Sequence, residues 1–182
     1  VWVSQEHATP VTAIAITPDG RFILSGHDEE NLYLWEMATG KRVERKYYGS
    51  SLDRLGFVAA AVSTLVITAD ERFILSGGQD RNLKLWNFKS GEILRTYKGH
   101  EGNVTSVAVT ADGQFAASGS EDGTLRLWNI ETGECLWTFN GHEGNVTAVA
   151  IAPNGQFVVS GSQDLTLRQV DVKTGKSPWT FG

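Results

Sequence analysis

Cysteine, proline and basic charge are all scarce in this chain of 182 residues, and each shortage excludes something. Cys135 is the single cysteine. It permits no intrachain disulfide and no cysteine-built metal cluster, and it points to a reducing compartment, the cytoplasm. Four prolines are too few for a collagen-like or proline-rich chain. No apolar run approaches the length of a membrane span, and no secretory signal precedes the first strand pattern. The chain opens on Val1 rather than Met, which suggests a processed start or a piece of a longer protein. Lys and Arg number 16 against 21 Asp and Glu, a net charge of −5. A duplex nucleic-acid binder draws much of its affinity from neutralising phosphate and usually carries the opposite sign. With 41% hydrophobic and 20% charged residues, disorder is excluded as well.

What the sequence does have is repetition. Residues 99–140 overlay 141–182 without a gap at 24 identical positions of 42. GHEGNVT at 99–105 returns at 141–147, and WTF at 137–139 returns at 179–181. A further shift of 42 keeps 16 matches between 57–98 and the third copy, among them Phe73, Ser76, Gly77, Asp80, Leu85 and Trp86. A shift of 51 finds the first copy, with Phe22, Ser25, Gly26 and Trp35. Its nine extra residues fall within 41–57, so one connection is long.

Inside each copy the apolar period is two. Val104 to Val109, FAAS (115–118), TLRLW (124–128) and ECLWTF (134–139) are short strand-like runs. AlaAspGly, GluAspGly and GluThrGly separate them as hairpin turns. No stretch carries a helical stripe. The pattern predicts an all-β chain of four antiparallel four-stranded units. Val107, Val109, Phe115, Leu125 and Leu127, with their counterparts, are the expected core.

These residues resemble the WD-repeat (beta-transducin-like) family of β-propellers. Gly99-His100 is followed by Trp128-Asn129, and Gly141-His142 opens another copy, at that family's repeat length. The family's Trp-Asp pair is varied here to Trp35-Glu36, Trp86-Asn87, Trp128-Asn129 and Val170-Asp171. The resemblance implies blades at about 5–56, 57–98, 99–140 and 141–182, with residues 1–4 an outer strand of a preceding blade. One outer strand too many for a four-blade closure implies a larger ring, completed by further sequence of a parent chain or by a second copy making eight blades.

The resemblance also implies a buried hydrogen-bond network of turn Asp, loop His, strand Ser and strand Trp. The third copy has all four, as Asp122, His100, Ser118 and Trp128. The first has His7, Ser25 and Trp35 with Glu29 in the turn. The second has Ser76, Asp80 and Trp86, with Val58 in the histidine place. The fourth has His142, Ser160 and Asp164, with Val170 for the tryptophan. Copies two and four are therefore expected to be less firmly tied, and Gln169 makes the last copy's third strand an unusual buried one. A Ser, a His and an Asp recurring with each blade suit structure rather than one active site. No catalytic residue, cofactor or metal is assigned.

Other features read as bland. His27 with Asp28 and Glu29 reads as a solvated turn rather than a metal ligand set. SerGlySerGluAspGly (118–123) lacks the lysine and helix of a phosphate loop. Asn103-Val104-Thr105 and Asn145-Val146-Thr147 satisfy the glycosylation sequon by chance of the repeat. Lys41 to Lys46 reads as a solvated loop, and Trp2, Trp137 and Trp179 as packing on outer strands.

A propeller carries recognition on its loops, and fold does not settle function. The reading is a non-catalytic scaffold for protein–protein interaction, a regulatory or assembly module that holds a protein or peptide on its loop face. The alternatives are a propeller-framed enzyme and a nucleic-acid or membrane-surface platform. The family's recognition positions correspond to Pro10, Thr12 and Asp28; Ala61, Ser63 and Gln79; Asn103, Thr105 and Glu121; and Asn145, Thr147 and Gln163. With Glu6, Glu101 and Glu143 nearby, the set is polar and acidic, which favours a basic or polar partner segment.

Overall fold

Alternating apolar residues between Asp-Gly and Thr-Gly turns give strands of five or six residues, and a last one of three, in the computed structural model, which describes residues 9–28, 31–47 and 60–182. The first blade comprises β1 (Val11–Ile16), β2 (Phe22–His27), β3 (Leu32–Glu36) and β4 (Arg42–Tyr47). The second has β5 (Val62–Ile67), β6 (Phe73–Gly78), β7 (Leu83–Asn87) and β8 (Ile93–Tyr97). The third has β9 (Val104–Val109), β10 (Phe115–Ser120), β11 (Leu125–Asn129) and β12 (Cys135–Phe139). The fourth has β13 (Val146–Ile151), β14 (Phe157–Ser162), β15 (Leu167–Asp171) and the shorter β16 (Trp179–Phe181). Each blade is an antiparallel meander in chain order, and the described residues contain no helix. None is therefore long and apolar enough to cross a membrane.

The blades stack through three apolar clusters. Leu24, Leu32 and Leu34 of the first blade meet Val62, Leu65 and Ile67 of the second. Leu75, Leu83 and Leu85 meet Val107, and Ala117, Leu125 and Leu127 meet Val146. Leu125 and Leu127 are fully buried, each contributing about 1.5–3 kcal/mol by leaving water. Val109 and Phe115 sit at the cluster edge and are half-buried. Gly119 explains the close approach of blades three and four: any side chain there would overlap Val146.

Polar bonds stitch the same interfaces. The Thr105 hydroxyl lies within donating distance of Gly119 O at 3.0 Å and of Val146 O, in the next blade, at 2.6 Å. Thr12 similarly faces Gly26 O at 3.1 Å and Val62 O. On the outer strands, Tyr97 Oη donates to Ile130 O at 2.9 Å and Trp137 Nε1 to Val172 O at 2.9 Å. Gln169 pairs with Val159 on one side and Trp179 on the other. The strand is regular despite its polar residue, because backbone bonds rather than side-chain polarity define it.

Candidate functional site

The β10–β11 turn and the loop before β9 are brought together by the third blade's network. His100 Nε2 lies 2.7 Å from Ser118 Oγ, and Trp128 Nε1 donates to that oxygen at 2.8 Å. His100 Nδ1 lies 3.0 Å from Asp122 Oδ2. A neutral ring with its proton on Nδ1 satisfies every member: Nδ1 donates to the carboxylate and Nε2 accepts from the serine. Asp122 also accepts from the Glu101 N–H at 2.8 Å, the Thr124 N–H at 2.9 Å and the Thr124 hydroxyl at 2.7 Å. Burial alone would raise its carboxyl, but the bonds from Thr124 and Glu101 prevail and hold it at about 2. Burial pulls His100 below its ordinary value, against the raising effect of Asp122.

The fourth blade repeats this geometry without an indole. His142 Nε2 is 2.8 Å from Ser160 Oγ, and His142 Nδ1 is 2.8 Å from Asp164 Oδ2. Asp164 is held far below the carboxylate range: burial raises it, and bonds from Thr166, His142 and the Glu143 N–H outweigh that. Val170 is fully buried in the tryptophan's place. Phe139 from the neighbouring strand presses its ring on Gly141, whereas the end of the Trp128 ring faces the counterpart glycine, Gly99.

Blades one and two tie their serines differently. In the second, Trp86 Nε1 donates to Ser76 Oγ at 2.8 Å. Asp80 meets not a histidine but Lys84 Nζ at 2.7 Å, together with Asn82 Nδ2 at 3.1 Å. Burial lowers Lys84 to about 8. In the first, Trp35 Nε1 donates to Ser25 Oγ at 2.8 Å, and His27 Nε2 lies 3.0 Å from the same oxygen. The expectation that His27 belongs to a solvated turn is thus corrected: it is wholly buried, with Nδ1 3.2 Å from Thr9 O. It is the last residue of β2, two after Ser25, so the pleat turns it to the same inner face. His7, Glu29, Val58 and residues 1–4 lie outside the described residues.

Ser25, Ser76, Ser118 and Ser160 are all buried, and each oxygen faces an indole or imidazole nitrogen. None is an accessible nucleophile. Among the described residues, no three His, Cys, Asp or Glu side chains gather as a metal site.

The positions named for recognition come together in pairs on one edge of the blades. The Glu121 N–H donates to Asn103 O, Gln163 to Asn145 O and Gln79 to Ala61 O, at 2.9, 2.9 and 3.0 Å. Pro10, Thr12, Asp28, Gln79, Glu121, Thr147 and Gln163 are exposed, while Ser63, Asn103, Thr105 and Asn145 are half-buried. Ala61 is buried and offers no side chain to a ligand. The hydroxyls of Thr12 and Thr105 are engaged by carbonyls of their own and the next blade. Glu101 and Glu143 stand exposed on the same edge. Two residues there escaped the sequence reading. Arg81 and Leu165 occupy the turn position of Gly123, with φ of 65° and 67°, and Leu165 is 89% exposed. The departure from glycine at an aligned turn is the signal that finds them. A cleft of about 590 Å³ opens at the opposite edge between blades two and three, beside Arg72, Arg95 and Gln114.

Comparison with known proteins gives relatives that share these repeats. The chain is 30% identical over 110 residues to "U3 snoRNP-associated protein-like YAOH" of Oryza sativa subsp. japonica, covering 55% of the chain and 21% of that protein. It is 32% identical over 90 residues to "GID complex subunit 7" of Schizosaccharomyces pombe, covering 50% and 17%. Over 100 residues it is 32% identical to "p21-activated protein kinase-interacting protein 1-like" of Danio rerio, covering 55% and 24%. The matched segments thus span about a fifth of these relatives' length. The profile of the WD domain, G-beta repeat family matches residues 1–36, 54–87, 91–129 and 133–171. Four matches in phase with four sheets take in most of the sequence, and the chain belongs to that WD-repeat family.

Proposed function

We propose that this chain is a non-catalytic interaction scaffold holding a basic protein or peptide segment on the edge that carries the β2–β3, β6–β7, β10–β11 and β14–β15 turns. The observation that carries the reading is charge on a rigid frame. Among the described residues Asp28, Glu101, Glu121 and Glu143 are exposed on that edge, with Arg81 a basic residue in one of its turns. Carboxylates carried on hydrogen-bonded turns favour approach of a cationic segment and penalise an acidic one. Leu165 adds an exposed apolar contact beside them. Around it, Asn103, Thr105, Asn145, Thr147, Gln79 and Gln163 supply amides and hydroxyls, and Pro10, Thr12 and Ser63 continue the rim. Two relatives carry interaction in their names, one as a complex subunit and one as a kinase-interacting protein, which supports the same class of role. The frame of blades at about 5–56, 57–98, 99–140 and 141–182 and a cytoplasmic setting complete the reading.

An array of basic, neutral and acidic peptides, read by fluorescence anisotropy, tests it. The unaltered chain should select basic peptides, more weakly as salt rises. Asn103→Lys with Glu121→Lys should abolish that selection and leave the melt nearly unchanged. Equal binding by the double variant would move the partner to the rim or to the cleft at the opposite edge.

A further inference from the structure

We infer that the cleft between blades two and three is a second docking site, and that it takes a tryptophan side chain from an extended segment of a partner protein. The inference is independent of the function proposed above, which concerns the opposite edge. It rests on a comparison of this interface with the two on either side of it.

The blades are near-copies, so one interface shows what another leaves out. Between blades three and four, Trp137 crosses from β12. Its indole N–H donates to Val172 O at 2.9 Å, and its ring packs against the apolar cluster and lies over Gly175. A shift of 42 residues finds the counterparts between blades two and three: Ile130 O for the carbonyl, Gly133 for the glycine and Arg95 for the tryptophan. Ile130 O already accepts from Tyr97 Oη at 2.9 Å. Arg95 reaches past it, with Nη1 donating to Thr132 O at 3.0 Å and Nη2 to Glu131 O at 2.9 Å. Its stem and guanidinium lie over Gly133 as the indole lies over Gly175. The interface between blades one and two also supplies a ring, because Phe88, the counterpart of Ile130, is buried in its cluster. Between blades two and three neither position carries a ring, and there the cleft of about 590 Å³ opens.

The lining suits the ring that the chain itself does not provide. Phe73, Leu85 and Ile130 contribute apolar surface, and Leu94 at the outer end is 49% exposed. Arg95, tied by two carbonyls, offers a cationic plane, and tryptophan is the aromatic side chain that a guanidinium attracts most. Asp70, Asp112 and Glu131 stand against Arg72 and Arg95 in the lining, so the signs nearly cancel and favour an uncharged anchor. The volume falls within the roughly 300–1,000 Å³ of ligand pockets. Arg72, Asp112, Gln114 and Glu131 are exposed at its rim. They supply both donors and acceptors for the N–H and C=O groups of a backbone on either side of the ring. A buried tryptophan with a polar surround is also the commonest form of an interface anchor.

A fluorescein-labelled glycine–serine nonapeptide with one central tryptophan is the probe, alongside its alanine version. Anisotropy should show the tryptophan peptide binding at least tenfold more tightly than the alanine peptide, with little dependence on salt. Arg95→Trp should fill the cleft as Trp137 fills its own place and weaken the tryptophan peptide at least tenfold. Gln114→Trp, at an exposed turn on the facing wall, should block the cleft by a second route, so the test does not hang on one variant's folding. Circular dichroism checks that each variant keeps its strands. Asn103→Lys with Glu121→Lys, on the opposite edge, should leave this binding unchanged. Undiminished binding by either folded cleft variant would overturn the inference, as would equal affinity for the two peptides. N-acetyl-tryptophanamide binding as tightly as the peptide would overturn it too, because the occupant would then be a small aromatic molecule rather than a protein segment.

Discussion

The imidazole of His27 stands 3.0 Å from the hydroxyl of Ser25, two residues earlier on the same strand and on the same inner face. In blades three and four the serine's imidazole arrives instead from the loop before the first strand, as His100 and His142. One acceptor site is thus reached from two directions in one protein. In these three blades an imidazole stands beside the serine, but it does not come from one sequence position.

His27→Ala should consequently destabilise the protein as a core substitution would. It leaves the inner side of Ser25 and Thr9 O without their ring partner, at a cost of about 1–3 kcal/mol. Thermal melting checks it, with a drop of several degrees expected. A melt within a degree of the parent would show that the ring contributes nothing.

The turn of blade four carries Leu165 at φ 67°, where blade three has Gly123 at φ 77°. A branched side chain costs about 1 kcal/mol in this left-handed region, and its exposure recovers little of that. Leu165→Gly should raise the denaturation midpoint. Should Leu165 anchor the partner, the same variant would bind basic peptides more weakly while being more stable, and the two effects separate by melt and anisotropy.

Restoring the missing indole should fail by itself. Val170→Trp would supply a donor for Ser160, but the Phe139 ring lies against Gly141, the counterpart of the glycine that the end of the Trp128 ring faces. Overpacking of this kind costs about 1–3 kcal/mol. Combining it with Phe139→Ala should recover stability relative to either single change, and urea midpoints of the four proteins decide the matter. Simple additivity would mean that the two rings do not compete.

Acid should weaken the fold in two stages. His100 is held below its ordinary 6.5 by burial, so the unfolded chain takes up a proton that the folded one resists. Its contribution is whole above pH 6.5 and fades as pH falls below it. Asp122, held at about 2 from an ordinary 3.8, contributes above 3.8 and loses that contribution as pH falls towards 2. Melting temperature against pH should therefore bend near 6.5 and again below 3.8. His100→Gln should remove the first bend and keep the second.

The sequence by itself determined the number of copies, the four strands in each and the register of the apolar faces. A period of two between Gly-bearing turns has one physical solution, a pleated meander with alternate side chains to either face. The serine–tryptophan bonds were legible only through the resemblance to WD repeats; in the structure Trp128 opposes Ala116 and reaches Ser118 diagonally on the same face. Only the tertiary structure decided what completes those bonds. That His27 turns inward, that Lys84 reaches Asp80, and that Phe139 lies against Gly141 all depend on distances between elements. A side chain's burial is set by what packs over it, and the residue types alone carry no record of that. Ile14 and Leu65 show the same division: they are equivalent residues of one strand pattern, yet Leu65 is buried because Leu24, Leu32 and Leu34 of the neighbouring blade pack on it, while Ile14 is 66% exposed.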